Sequence, residues 1–344
     1  MKCDENAPYK QDHAFWPAFS ELIHSDWVRQ EADRGPSVTA RIEVVTALLK
    51  AALHGSSGLY SLPDEGITEL PDAVVLLDTL EYMELNNRSL TKLPDEIGRL
   101  QELRKIRLTH NNIERLPSSI ADCTQLRQLN VDRNKLTSLP ERIGNLRKLH
   151  FLDASNNKIV VVPDSIGEAK ALHTLSLQGN QIKALPDSFG NLSNLKWLDL
   201  NHNNIEQLPS GFWKLSNIYH LELIGNKLQS VAGIGRLTTL SDLKLSSNHL
   251  KELPDEFASL QKLETLSVSH NDLEALPPSL AQCSALIKLD LRDNARLSKL
   301  PEGLDRLPKL ATIEIDGTRI DPKERSRVLD TIRFRSKYGP ESKL

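Results

Sequence analysis

The sequence predicts an α/β solenoid: about twelve short repeats stacked into a horseshoe, with a parallel sheet on the concave face and a helix over each end. Three observations predict it. An asparagine recurs at Asn111, Asn134, Asn157, Asn180, Asn203 and Asn226 with a spacing of 23, then at Asn248, Asn271 and Asn294 with spacings of 22, 23 and 23. Leucines hold fixed places around it in the pattern L-x-x-L-x-L-x-x-N-x-L-x-x-L-P, clearest from Leu126 through Leu129, Val131, Asn134 and Leu136 to Leu139 and Pro140. The chain has 344 residues, 39% of them hydrophobic, longer than one globular core usually spans, and a stack in which each unit packs only on its neighbours escapes that limit.

Each part of the unit has a physical reason. The L-x-L stretch alternates apolar and polar residues, so a short strand turns leucines inward and polar side chains outward, and the stacked strands form a parallel sheet. Where the chain leaves the strand, a buried asparagine amide can bond backbone groups that would otherwise be unpaired. The L-P pair closes the turn because proline fixes φ and cannot donate, and the stretch after it (Ile143, Gly144, Leu146) returns as a helical or 3₁₀ turn. Arg88 and Thr318 replace the asparagine in degenerate flanking copies, and Glu65 heads a partial copy through Ile67, Leu70 and Pro71. Two units depart in length: Val231 to Gly233 replaces L-P in the 22-residue unit, and an extra residue falls near Ala295.

The repeats are expected over residues 57–320. A helix over residues 37–56, capped at Ser37 and ended by Gly55, places Val38, Ile42, Val45, Leu49 and Ala52 on one face to cover the first repeat. Within residues 1–36, the cluster Phe15, Trp16, Phe19, Leu22, Ile23 and Trp27 extends this cap, or is an exposed docking segment or chaperone-binding site. Residues 321–344 form the other cap and a basic tail: Asp321 and Pro322 start a helix, Glu324 adds a partial capping box, and Val328, Leu329 and Ile332 share a face.

These units resemble the leucine-rich-repeat family, and their L-P-x-x-I-G-x-L-x-x-L form is similar to its intracellular 23-residue subclass, found in Ras-group repeat proteins and in type III effectors of plant-pathogenic bacteria. The resemblance implies protein binding without naming the partner.

Side chains between and beside the strand leucines must point to the concave side, so the face can be read without coordinates. Its first third is basic (Arg104, Lys105, Arg107, Arg127, Arg133), and its middle carries rings, with Phe151, Trp197 and His220 in one column and Tyr219, His150 and His173 nearby. Towards the C-terminal end it becomes small or mixed in charge, as at Ser246, Ser267, Ser269, Asp290 and Arg292. Aromatic and arginine side chains dominate interface energetics, which points to Phe151, Trp197, Tyr219 and His220, flanked by His150 and His173, as a protein-binding anchor. Arg104, Arg107 and Arg127 would then steer an acidic region of the partner. The alternative is that the rings merely stack across strands. Six of the ten histidines fall on this face, and a solvated surface outweighs a metal site because no tight ligand spacing is present.

Other function classes find little support. No phosphate loop, zinc helix or nucleophile elbow occurs, so no catalytic residue and no cofactor is expected. The net charge of −3 provides no general field for nucleic acid or anionic lipid, and no apolar run is long enough to span a membrane. Three scattered cysteines (Cys3, Cys123, Cys283) make a poor disulfide framework, and the N-terminus lacks a signal-peptide pattern, so a cytoplasmic interaction module acting as scaffold, adaptor or inhibitor is expected. The competing reading, implied by the resemblance to type III effectors, is a bacterial effector delivered into host cells by a non-Sec route, alone or as the substrate-recruiting half of a ubiquitin ligase.

Overall fold

The computed structural model describes residues 57–59 and 67–338. The expected helix at 37–56, the segment 1–36, Glu65 and the end of the basic tail lie outside them. The chain divides into two compact units, one reaching to Leu172 and the other starting at His173.

The first unit contains β1 (Gly58–Leu59), β2 (Tyr82–Glu84), β3 (Lys105–Arg107), β4 (Gln128–Asn130) and β5 (Phe151–Asp153), paired in parallel in chain order. The second contains β6 (Thr174–Ser176), β7 (Trp197–Asp199), β8 (His220–Glu222), β9 (Asp242–Lys244), β10 (Thr265–Ser267), β11 (Lys288–Asp290) and β12 (Thr312–Glu314), paired in the same way. Every strand is short because only its middle residue must face inward: Ile106, Leu129, Leu152, Leu175, Leu198 and Leu221 are all fully buried. Each such side chain contributes about 2 kcal/mol of burial, and successive repeats stack these residues into a ladder.

The asparagines do what their positions require. In the second unit, Asn203 Nδ2 donates to the carbonyls of Leu177 (3.0 Å), Leu200 (3.1 Å) and Asn201 (3.2 Å), while its Oδ1 accepts the N–H of Ile182 at 3.0 Å. Asn111 makes the equivalent set in the first unit, to Leu85, Leu108, Thr109 and Leu90. One amide therefore ties its own turn to the preceding repeat. The residue just before the asparagine takes a left-handed φ, as at His110, Arg133, His202 and His270, or is glycine at Gly179 and Gly225.

The returns are 3₁₀ segments, such as Ser118–Asp122 and Asp187–Asn191, each entered from a proline in extended conformation. That proline's carbonyl accepts the first 3₁₀ N–H, for example Ile120 to Pro117 at 3.1 Å. Cys123 and Cys283 are fully buried at the ends of two returns, and their thiols donate to the carbonyls of Ile97 (3.5 Å) and Phe257 (3.3 Å). Burial pushes the two thiols up to about 12 and about 11, which leaves them unreactive.

Both length changes are absorbed outside the strands, for His220 still pairs with Asp242 and Lys288 with Thr312. In the short unit Gly233 takes φ +101°, and a Cβ there would lie 2.7 Å from the Trp213 ring, so the missing L-P makes room for an indole. The Glu256 carboxylate accepts the N–H groups of Gly233 (3.0 Å) and Gly235 (3.2 Å).

At the C-terminal end lies α1, Pro322–Tyr338, the helix expected there. Asp321 accepts the N–H of Lys323 at 2.8 Å, whereas Glu324 accepts the N–H of Leu300 rather than closing a capping box. Val328 and Ile332 are buried against the last repeat, and Leu329 is half-buried. Arg327 holds the buried Asp305 at 2.7 Å and Arg325 bonds Asp316, so part of the basic surface is spent on attaching the helix.

Replacing Asn203 by Ala strands the Ile182 N–H of the preceding repeat and leaves the Leu177 carbonyl with the Asn180 amide alone, and urea unfolding should show a loss of about 2–3 kcal/mol; a change below about 1 kcal/mol would contradict the ladder. Gly233→Ala should cost about 1–2 kcal/mol from the left-handed backbone alone, and a neutral result in the same assay would rule out that constraint.

Candidate functional site

On the strand face of the first unit, the predicted basic group is largely engaged with carboxylates one strand back. Arg104 pairs with Glu81 at 3.1 Å, and Lys105 and Arg107 reach Glu84 at 2.5 and 3.9 Å. Arg127 is exposed, and its carbonyl accepts the N–H groups of His150 (2.8 Å) and Phe151 (3.2 Å). His150 is exposed, while Phe151 starts β5 half-buried, in register with Gln128. Two positions further along β5, burial raises the Asp153 pKa against the hydrogen bonds it accepts from Ser155. The basic character expected here is therefore reduced by local pairing.

The second unit brings more of the predicted residues together. Trp197 and His220 occupy the same position on β7 and β8, and their rings stack with centroids 3.5 Å apart and planes 18° from parallel. Trp197 is 38% exposed and Tyr219 45%, whereas His220 is only 6% exposed. His220 is thus not a free surface ring, as the column reading implied: the indole lies over it and carboxylates hold both its nitrogens. Nε2 meets Glu222 Oε1 at 2.6 Å and Nδ1 meets Asp242 Oδ2 at 3.0 Å. His173 is half-buried beside β6, and its carbonyl accepts the N–H groups of Lys196 (2.9 Å) and Trp197 (3.0 Å).

Four residues that column reading passed over complete this group. Glu222 also receives Lys244 Nζ at 2.7 Å and the Asn201 amide, and Lys244 lies 3.8 Å from Asp242. The signal was present in the register. Glu222 follows His220 by two residues and so shares its face, and Asp242 stands at the His220 position one strand later once the 22-residue unit is allowed for.

Burial by itself lowers the His220 pKa, but the hydrogen bonds and charges of Asp242 and Glu222 outweigh it and lift the ring to about 9. Glu222 is held down to about 2, first by the His220 bond and then, against burial, by Lys244 and Asn201. At neutral pH the group consists of two cations and two anions in mutual contact. Both imidazole nitrogens are spent on carboxylates, which leaves no lone pair for a metal. Among the described residues no group of three or more His, Cys, Asp or Glu side chains is arranged to hold a metal ion.

Further along the second unit the face is also internally satisfied. Asp290, 4% exposed, accepts from Arg292 Nε and Nη2 at 2.9 Å each, and Ser246 lies 2.7 Å from Ser267 and 2.8 Å from Ser269. His110, His202 and His270, counted with the face from sequence, sit instead in the left-handed turns that follow the strands.

The imidazolium against the indole provides a probe. Because the folded His220 pKa lies above its unfolded value of 6.5, its stabilisation is complete below pH 6.5 and is lost as pH rises through about 9; that of Glu222 is complete above 4.5 and lost as pH falls through about 2. Unfolding free energy measured from pH 6.5 to 10 should fall more steeply for the unaltered protein than for His220→Gln. Trp197 fluorescence, taken as the difference from Trp197→Phe, should rise over the same interval, and parallel pH profiles for the two proteins would refute the clasp.

A family model described as a leucine-rich repeat region matches residues 65–156, 164–247 and 225–327, well over half of the chain. A leucine-rich-repeat protein of Leptospira interrogans with a solved structure is 30% identical, with a TM-score of 0.54, and the match covers 78% of this chain and 80% of that one. An adenylate cyclase of Podospora anserina is 38% identical over 97 residues, 28% of this chain and 4% of that protein. The TMV resistance protein N of Nicotiana glutinosa is 39% identical over 82 residues, 23% of this chain and 7% of that protein. The chain thus spans only a small fraction of the curated relatives it matches. The asparagine ladder, the 3₁₀ returns and the family match agree, and the chain belongs to the leucine-rich-repeat family.

Proposed function

We propose that the chain binds a protein partner on its strand face and acts as a scaffold, adaptor or inhibitor without performing a reaction. The observation that carries this reading is the exposure of Trp197 and Tyr219 on a face whose other polar and charged side chains largely satisfy one another. A solvent-facing strand position has no structural need for an indole, and such rings concentrate binding energy at interfaces. The leucine-rich-repeat fold is commonly a protein-interaction module and typically non-enzymatic, and no described helix is long and apolar enough to cross a membrane. The two buried free thiols, Cys123 and Cys283, suit the reducing environment of a cytoplasmic protein.

On the second unit Trp197 and Tyr219 are assigned as the anchor, with His173 near them and His220 as support beneath Trp197; on the first unit Phe151 and His150 are assigned as a contact of their own. On the first unit the exposed Arg127 leads in steering an acidic part of the partner, and Arg104 and Arg107 contribute what their pairs with Glu81 and Glu84 leave. Nucleic acid is a poor fit, because carboxylates accompany the arginines.

The test is affinity capture with the unaltered chain and with a Phe151→Ala/Trp197→Ala double variant, followed by titration of the purified captured protein. The double variant should bind at least about 30-fold more weakly while its Tm falls by only a few degrees. Retained affinity would sink the anchor assignment, and collapse of the fold would mean that the rings are structural.

A further inference from the structure

On the reading of this strand face as a protein-binding surface, we infer that the row from Lys196 to Ile287 on the second unit receives an extended segment of the partner. That segment carries, at every second position, an acidic, an apolar, a basic and an apolar side chain. The row consists of the residues that stand just before β7 to β11: Lys196, Tyr219, Ser241, Glu264 and Ile287. Their register is direct, because the carbonyl of each accepts the N–H of the next. Tyr219 donates to Lys196 at 3.1 Å, Ser241 to Tyr219 at 2.9 Å, Glu264 to Ser241 at 2.8 Å and Ile287 to Glu264 at 2.8 Å.

What sets the row apart is that it is both open and unsatisfied. Tyr219 is 45% exposed and Ile287 40%, Lys196 and Glu264 are exposed as well, and only the small Ser241 is half-buried. On the neighbouring strand positions the charges consume one another: His220 and Lys244 hold Glu222, and Lys288 lies 3.5 Å from Glu314. The Lys196 ammonium and the Glu264 carboxylate, in contrast, make no ion pair and no side-chain hydrogen bond with any described residue. Trp197, Tyr219 and Ile287 are the large apolar side chains exposed on the described second unit; two of them belong to the row and the third directly follows Lys196.

The spacing selects the occupant. Strands lie about 4.8 Å apart, so Lys196 and Ile287, four strands from end to end, are separated by about 19 Å. An extended chain advances about 3.3 Å per residue and shows one face at every second residue, so four such side chains span about 20 Å. Laid along the row, the first falls at Lys196, the second near Tyr219, the third near Glu264 and the fourth at Ile287, with Ser241 left in the gap. An α-helix repeats every 5.4 Å, drifts from the strands by about 2 Å over the same distance and places a further side chain over Ser241. The two unpaired charges then fix the order: an anion belongs at the Lys196 end and a cation at Glu264, and the reverse order sets like charge against like.

The probe is the fluorescein-labelled peptide Glu-Thr-Leu-Thr-Arg-Thr-Leu, titrated into the full chain and followed by fluorescence anisotropy. Saturation at a Kd of tens of micromolar is expected, on the order of what a short exposed contact supports, and the same peptide with Glu and Arg exchanged should bind at least about tenfold more weakly. Lys196→Glu and Glu264→Lys should each weaken the first peptide by roughly fivefold, and Tyr219→Ala by about tenfold. The double variant Lys196→Glu/Glu264→Lys, altered only at exposed side chains, should prefer the exchanged peptide. No saturable binding, equal binding of the two peptides, failure of the double variant to reverse their order, or tighter binding of a peptide with the four residues at helical spacing overturns the assignment. Ordered peptide binding alongside undiminished protein capture by the Phe151→Ala/Trp197→Ala variant would retain the row and remove the anchor reading. Lost capture in that variant without peptide binding would do the reverse.

Discussion

A buried amide cannot be left unpaired, and in this chain one such amide per repeat must find its acceptors in the repeat before it. Asn203 reaches back to Leu177 and Asn111 to Leu85, each spanning 26 residues, while the carbonyl oxygen of each amide takes an N–H from the preceding turn. If one repeat slipped against the next by a residue, these bonds would break together with the ladder of strand leucines. The strands within a unit are therefore held in one register, and changes in length are confined to the segments that return. That is why the 22-residue unit is shortened beside Gly233 and the longer unit takes its extra residue near Ala295, with pairing unaffected in both.

A fixed register turns the strand face into a grid, and the grid decides which charges meet. Strands lie about 4.8 Å apart, so a long side chain readily reaches the equivalent place on its neighbour. Arg104 finds Glu81, Arg292 finds Glu314, and His220 finds Asp242. Summing residue types along the face therefore overstates the field a partner would meet, since much of the charge is consumed within the face. What pairing cannot consume is aromatic surface. Trp197 can share one side of its ring with His220 and has no partner of its own kind on β8 or β6, which leaves it available for recognition.

The architecture was legible because it is written many times over. Nine asparagines in phase, the L-x-L alternation and the L-P closure each state the same local requirement, and the strands, 3₁₀ returns and terminal helix follow from them. The site was legible only in part. Its rings were found because a ring on a polar strand face is anomalous from composition alone. The burial of His220 was not, because it depends on a carboxylate two residues on and another one strand later, and the second is reached only after the 22-residue unit has been counted. Glu222, Asp242 and Lys244 are ordinary surface residues by type. Their role arises from adjacency across strands, which a residue list does not record. Likewise the Trp213 ring lies against the left-handed Gly233, where the leucine and proline are absent, a contact that only adjacency between repeats reveals.

The same separation explains how such repeats occur within otherwise different proteins. The stretches shared with the adenylate cyclase and the resistance protein are 4% and 7% of those chains, and what recurs from repeat to repeat in this chain is the frame of leucine, asparagine and proline. That frame points inward and is saturated by its own hydrogen bonds and packing, so it carries fold without chemistry. Residues at the outward strand positions meet no such requirement and can vary without disturbing it. Specificity must then reside in the few outward positions where the face leaves something unsatisfied. On the second unit that is the indole of Trp197, set in place by an imidazolium whose charge is already matched.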